Sequence, residues 1–179
     1  MRKLIVHLER WLAKTRLGTR LYARPYRKVV AREIALASIR TTDIVYQIGC
    51  GSVPFTALLV AEETNAKVIA IDNDTGAVKR AQRIVKKRKL EHLIDVRHYD
   101  GTEPLDKPYT VVILALQTRP LKKVLDALDF QRARVIVREP TEKYKERYDA
   151  LPPEYAVVTR AHHDMRAFAS SGLLKGSQL

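Results

Sequence analysis

The sequence predicts an α/β domain built on an open, mostly parallel sheet, and three observations carry that expectation. From Thr41 onward, short apolar runs alternate with amphipathic segments, the pattern of strands joined by helices that cover both faces of a sheet. The first run, Ile44 to Ile48, leads directly into Gly49-Cys50-Gly51. Glycine, lacking a Cβ, lets the backbone N–H groups of such a turn come close to a ligand. The second run, Lys67-Val-Ile-Ala-Ile-Asp72, ends in a carboxylate at the edge where open α/β sheets bind ligands.

A chain of 179 residues fits one domain with a sizeable core and a short extension. Residues 3–15 place Leu4, Ile5, Leu8, Trp11 and Leu12 on one face, which predicts an amphipathic helix. Pro25 is a favourable first residue for a second helix over 25–38, burying some of Val29, Val30, Ile34, Leu36 and Ala37. Strands are expected at 44–48, 67–71, 94–98, 109–115, 133–138, 155–159 and 165–169, the last antiparallel. Helices are expected at 54–64, 74–89, 120–128 and 141–149. Pro152-Pro153 precedes a terminal hairpin whose turn is expected near Arg160 to Asp164. This divides the chain into a helical extension, 1–40, and a sheet domain, 41–179.

The net charge is +13, and residues 1–40 hold 11 Lys and Arg against only Glu9 and Glu33, so most of the excess lies ahead of the glycine turn. Local cation excess commonly serves phosphate neutralisation, which points to nucleic acid, with a solvated basic surface as the plainer alternative. Tyr22 and Tyr26 stand among Arg16, Arg20, Arg24, Arg27 and Lys28, a mixture suited to stacking a base while gripping RNA phosphates. Packing of the tyrosines on an amphipathic helix accounts for either one equally well. The run Lys79 to Lys89 is also basic, as exposed helices often are.

No apolar run is long enough to cross a membrane, and Met-Arg-Lys-Leu-Ile-Val-His meets charge too early for a secretory signal. The single cysteine, Cys50, excludes an intrachain disulfide and a multi-cysteine zinc site. A reducing, cytoplasmic setting without a metal cofactor is expected.

The turn lacks the Gly-Lys-Ser/Thr of a P-loop and the third glycine of a dinucleotide site, continuing instead as Ser52-Val53-Pro54-Phe55. A ligand with ribose and adenine but no pyrophosphate suits it, and S-adenosylmethionine is such a ligand. The segments Val45-Tyr-Gln-Ile-Gly-Cys-Gly, Val68-Ile-Ala-Ile-Asp72-Asn-Asp and Val96-Arg-His-Tyr-Asp100-Gly together resemble a Rossmann-like class I S-adenosylmethionine-dependent methyltransferase over about residues 41–170. The resemblance implies that Gly49 and Gly51 lie against the methionine part, Asp72 holds the ribose hydroxyls and Asp100 contacts the adenine amino group, with Gln47, Cys50, Asn73, Gly101 and Ala115 also at the cofactor. Gln47 departs from the acidic residue usual at its position. Ile48-Gly-Cys-Gly-Ser-Val-Pro54-Phe-Thr56-Ala is also similar to the nicotianamine synthase loop, a family that uses the same cofactor as an aminopropyl donor.

For the acceptor, Gln117 stands where amino-directed nucleic-acid methyltransferases carry Asn or Asp, and its carbonyl can accept from an exocyclic amine. Glu139, at the end of the fifth strand, either orients substrate or pairs with Arg138. Cys50 sits inside the turn as a packing residue, which argues against C5 methylation of pyrimidines. His162 and His163 are read as a solvated or phosphate-contacting turn. The resulting expectation is an RNA methyltransferase acting on a base nitrogen of ribosomal or transfer RNA. Alternatives are aminopropyl or methyl transfer to a small metabolite, and a non-catalytic RNA-binding protein.

Overall fold

The computed structural model describes residues 16–175, with side chains from Tyr26 to Leu174. A long helix α1 (Arg16–Leu36) precedes β1 (Ile44–Ile48), α2 (Phe55–Thr64), β2 (Lys67–Asp72), α3 (Thr75–Arg88), β3 (Ile94–His98) and β4 (Val111–Leu114). Then follow α4 (Leu121–Asp126), β5 (Arg134–Pro140), a 3-10 turn over Glu142–Arg147, β6 (Ala156–His162) and β7 (Phe168–Lys175). The seven strands form one sheet in the order β3-β2-β1-β4-β5-β7-β6. Strands β1 to β5 are parallel, and β7 runs antiparallel to both β5 and β6.

The central strands β1, β2 and β4 are apolar apart from Gln47 and the strand-end Lys67 and Asp72, because both of their faces are covered. On one face, α1, α2 and α3 pack Val30, Leu58, Val60, Val78 and Val85 against Val45, Val68, Val111 and Ile113. On the other, α4 sets Leu121, Val124 and Leu125 against Tyr46, Ile71, Val112 and Leu114. Helix α3 starts cleanly because the Asp74 carboxylate accepts from the N–H groups of Gly76 (2.7 Å) and Ala77 (3.1 Å).

Several boundaries differ from the sequence reading. Helix α1 continues through Pro25, which therefore stands inside a helix and not at the start of one. A proline there removes one ladder bond, and the apolar face formed by Val29 and Val30 holds the helix to the sheet regardless. The helix expected at 3–15 lies outside the described residues. The segment 141–149 forms only a 3-10 turn, and the expected strand 109–115 and helix 120–128 are shorter. The terminal hairpin is shifted, with Ser170-Ser171-Gly172 inside β7 and not beyond the last strand. Those small residues look like a turn but serve close approach: a Cβ at Gly172 would stand 2.9 Å from Val157 Cγ1.

One charged group braces the amino-terminal edge of the sheet. Asp43 is buried and accepts from the Thr110 hydroxyl (2.6 Å), the Arg40 amide (2.7 Å) and the Arg134 guanidinium. Burial raises its pKa, but the Thr110 and Arg40 hydrogen bonds and the Arg134 charge together hold it below the usual carboxylate range. A carboxyl lowered on folding stabilises the protein above its unfolded pKa and loses that contribution as pH falls through the folded value. Asp43→Asn is expected to lower the melting temperature at pH 7 and to weaken its dependence on pH below about 4. Identical acid limbs in thermal melts of the two proteins would refute this.

Candidate functional site

At the carboxyl ends of the parallel strands lies a cavity of about 890 Å³. Its floor is the glycine turn, where Gly49 (φ +80°) and Gly51 (φ +66°) adopt left-handed conformations that L side chains rarely take. The turn is tied to β2, since the N–H groups of Gly49 and Cys50 both donate to the Ile71 carbonyl (2.9 and 3.0 Å). Gly51 N–H donates to Asp72 Oδ2 at 2.7 Å, while Asp72 Oδ1 accepts from Asp74 N–H at 3.0 Å. The carboxylate is therefore fixed in orientation and still borders the cavity.

Asp100 Oδ1 accepts from both the backbone and the hydroxyl of Thr102, each at 2.9 Å. These two donors hold its carboxyl below the usual range. Its other oxygen has no hydrogen-bond partner among the described residues. Gly101 follows, and a Cβ there would lie 2.6 Å from Ile48 Cγ2 on the cavity floor. Gly101→Ala is expected to displace Ile48 and weaken cofactor binding by tenfold or more, roughly the cost of an overpacked contact. Calorimetric titration checks this, and an unchanged affinity would refute it.

Gln47 is buried, borders the cavity, and its Oε1 accepts from the Ala57 N–H at 3.0 Å. Pro54, which starts α2, provides no side-chain cap. The amide thus satisfies one of the helix's unpaired first-turn donors. Cys50 is buried, and desolvation followed by the nearby Asp72 charge pushes its thiol up to about 12. Such a thiol is a poor nucleophile at neutral pH. Asn73, Ala115 and Gln117 also line the cavity, and Gln117 is exposed.

Glu139 does not line the cavity. Successive side chains on a strand point to opposite faces, and on β5 Arg138 borders the cavity while Glu139 is held by Arg160 (2.8 and 3.1 Å) and Ser170 (2.7 Å). Burial raises the Glu139 pKa, and Arg160 and Ser170 outweigh that to lower it. The partner of Arg138 is Glu33 of α1, through paired bonds of 2.8 Å between side chains 3% and 0% exposed. The guanidinium also donates to Thr56 Oγ1 (2.9 Å) and to the Tyr26 hydroxyl, and Ser171 donates to Glu33 Oε1 (2.6 Å). The sequence reading missed Glu33, although it stands with Val29 and Val30 on the apolar face of α1. An acid on such a face calls for a buried partner.

The expected RNA contacts divide in three. Tyr26 borders the cavity, its hydroxyl engaged by Arg138 and its ring 5.9 Å from Phe55, which is the packing alternative to base stacking. Arg27 pairs with Glu62 and Glu63, and Lys28 is exposed. The side chains of Arg16, Arg20, Tyr22 and Arg24 lie outside those described. His163, expected in a solvated turn, is buried against Ser171 Oγ (2.9 Å), and desolvation lowers its pKa. No group of three or more His, Cys, Asp or Glu able to hold a metal occurs among the described residues, and none of their helices is long and apolar enough to cross a membrane.

The chain is 30% identical over 95 residues to the L-histidine 2-aminobutanoyltransferase of Yersinia pestis, spanning 52% of this chain but only 35% of that protein. Its fold is like that of a mutant of MtNAS in complex with S-adenosylmethionine (TM-score 0.79, 16% identity, 97% of this chain and 72% of the other). This neighbour matches the similarity of the glycine loop to that of nicotianamine synthase noted in the sequence. The fold is also like that of an RNA methyltransferase from Salinibacter ruber in complex with S-adenosyl-L-homocysteine (TM-score 0.63, 21% identity, 83% and 91%). The model of the methyltransferase domain family matches residues 32–148, from the helix that carries Glu33 through the glycine turn and both aspartates to the far wall of the cavity, and the chain belongs to that family.

Proposed function

We propose that this chain is an S-adenosylmethionine-dependent methyltransferase that acts on a base nitrogen, an exocyclic amine above all, in ribosomal or transfer RNA. The residues at the site suit the cofactor. The Cβ-free positions at Gly49 and Gly51 leave room for its methionine end, the Asp72 carboxylate held by Gly51 and Asp74 suits a ribose diol, and the unpartnered oxygen of Asp100 can accept from the adenine amino group. The bound sulfonium supplies an electrophilic methyl carbon. The acceptor nitrogen's lone pair forms the new C–N bond as the C–S bond breaks, leaving S-adenosylhomocysteine, and the nitrogen releases a proton to solvent. Gln117, exposed on the cavity wall, is the acceptor available to orient the amine. Glu139 is held by Arg160 and Ser170 and in this reading braces β5.

The observation that carries the RNA reading is the charge, +13 over 179 residues, with the excess concentrated in and before α1, the helix that contributes Tyr26 to the cavity wall. The RNA methyltransferase from Salinibacter ruber, matched over 91% of its length, supports it.

A second reading is transfer of the cofactor's amino-acid side chain to a small amine, favoured by the likeness to MtNAS and to the Yersinia pestis transferase. The two leave different nucleosides: methyl transfer yields S-adenosylhomocysteine, and side-chain transfer yields 5′-methylthioadenosine. Incubation with S-adenosylmethionine and bulk ribosomal or transfer RNA, then chromatography of the nucleosides, is expected to give the former with a methylated base in the RNA digest. Release of methylthioadenosine with a small amine, and no RNA product, would overturn the proposal in favour of the second reading.

A further inference from the structure

Three helices lie on one face of the sheet. The outward surface of α3 is cationic, while the exposed acids of α2, Glu62 and Glu63, are met by Arg27 of α1 and Arg88 of α3. Helix α3 buries Ala77, Val78, Ala81 and Val85 and exposes Lys79, Arg80, Arg83, Lys86, Lys87 and Arg88. No acidic residue lies between Ala77 and Leu90. Lys79 and Arg83, and Arg83 and Lys87, are four residues apart on the helix, a spacing at which like charges repel. Cations in a last turn are favoured by the helix dipole, which accounts for Lys86 to Arg88 but not for Lys79 or Arg83.

The ends of this run are neutralised within the protein. Arg80 reaches Asp74 (3.7 Å), and Arg88 reaches Glu62 of α2 (3.1 Å). Lys79, Arg83, Lys86 and Lys87 have no ion-pair partner among the described residues. Glu62 also pairs with Arg27 of α1 (3.5 Å), so α2 neutralises one cation from each neighbouring helix and leaves the middle of the α3 run unpaired. The amino end of α3 follows Asp72 and Asn73 directly, which starts the face at the ribose end of the cavity.

We propose that the outward face of α3 docks an RNA phosphate backbone, with Lys79, Arg83, Lys86 and Lys87 as its phosphate contacts. The docking face rests on the RNA reading above and deepens it by naming the surface that holds the strand flanking the target base. Like charges arrayed without internal counter-ions fit a polyanion, whose condensed counterions are released on contact.

The test is a salt titration of binding to end-labelled bulk transfer RNA, followed by fluorescence anisotropy. It compares the wild type, the variant K79Q/R83Q/K86Q/K87Q, and a control, K107Q/R132Q, altered in the loops leading into β4 and β5. Each phosphate contact adds about 0.7–0.9 to the slope of log affinity against log salt, so the quadruple variant should lose about 3 while the control stays near the wild type. Circular dichroism melts confirm that all three are folded, as expected for exposed positions. An unchanged slope in the quadruple variant, or an equal loss per charge in the control, would overturn the docking face and leave the RNA reading standing. A wild type that does not bind the RNA even at low salt would remove both.

Discussion

Asp72→Ala is expected to weaken S-adenosylmethionine binding by about two orders of magnitude and to take transferase activity with it. The side chain has two duties in the structure. One oxygen holds the Gly51 N–H at 2.7 Å and the other holds Asp74 N–H at 3.0 Å, so the carboxylate shapes the glycine turn as well as bordering the cavity. Hydrogen bonds to a charged group contribute about 1.5–3 kcal/mol each, so losing the ribose contact alone accounts for roughly tenfold to a hundredfold. Disorder of the turn adds to it. Calorimetric titration of the variant reads the effect directly, and an affinity within about threefold of the wild type would show that Asp72 does not hold the ribose. Asp72→Asn keeps the shape and one acceptor, so it should fall between the two.

The second large effect is on stability. Glu33→Ala leaves the Arg138 guanidinium, 3% exposed, without its counter-charge. Breaking a buried pair from one side costs about 3–5 kcal/mol, because the remaining charge is desolvated and uncompensated. For a domain of this size each kcal/mol moves the melting temperature by about 2–4 °C, so a fall of roughly 6–20 °C is expected. Replacing both partners with apolar residues of similar volume, as in Glu33→Leu with Arg138→Met, should recover much of that loss. A single variant that melts within about 2 °C of the wild type would show that solvent or a bound anion reaches Arg138.

The parallel part of the sheet was legible in the sequence because its inner strands are buried on both faces and its edge strand β3 alternates. Ile44–Ile48, Lys67–Asp72 and Ile94–His98 read as unbroken apolar or alternating runs, each closed by a turn. The glycine turn was legible for a related reason: its positive φ angles leave glycine as the natural residue. The hairpin was misread because its last strand carries Ser170-Ser171-Gly172, residues kept small and polar by contacts with other parts of the chain. Ser170 donates to Glu139, Ser171 donates to Glu33, and Gly172 makes room for Val157. None of those constraints is local. Likewise Arg138 was read with its neighbour Glu139, whereas strand alternation sends the two to opposite faces and gives each a partner far away in the chain.

The Glu33–Arg138 pair also bears on how freely this protein's parts can be exchanged. Helix α1 lies ahead of the sheet in sequence and reads as an appendage, yet it holds the acid bonded to the buried guanidinium of the cavity wall. A chimera that keeps the sheet and substitutes a foreign leading helix would inherit a stranded cation beside its cofactor. The helix and the fifth strand therefore form one inheritable unit, and any graft of a new acceptor specificity onto this scaffold has to carry both.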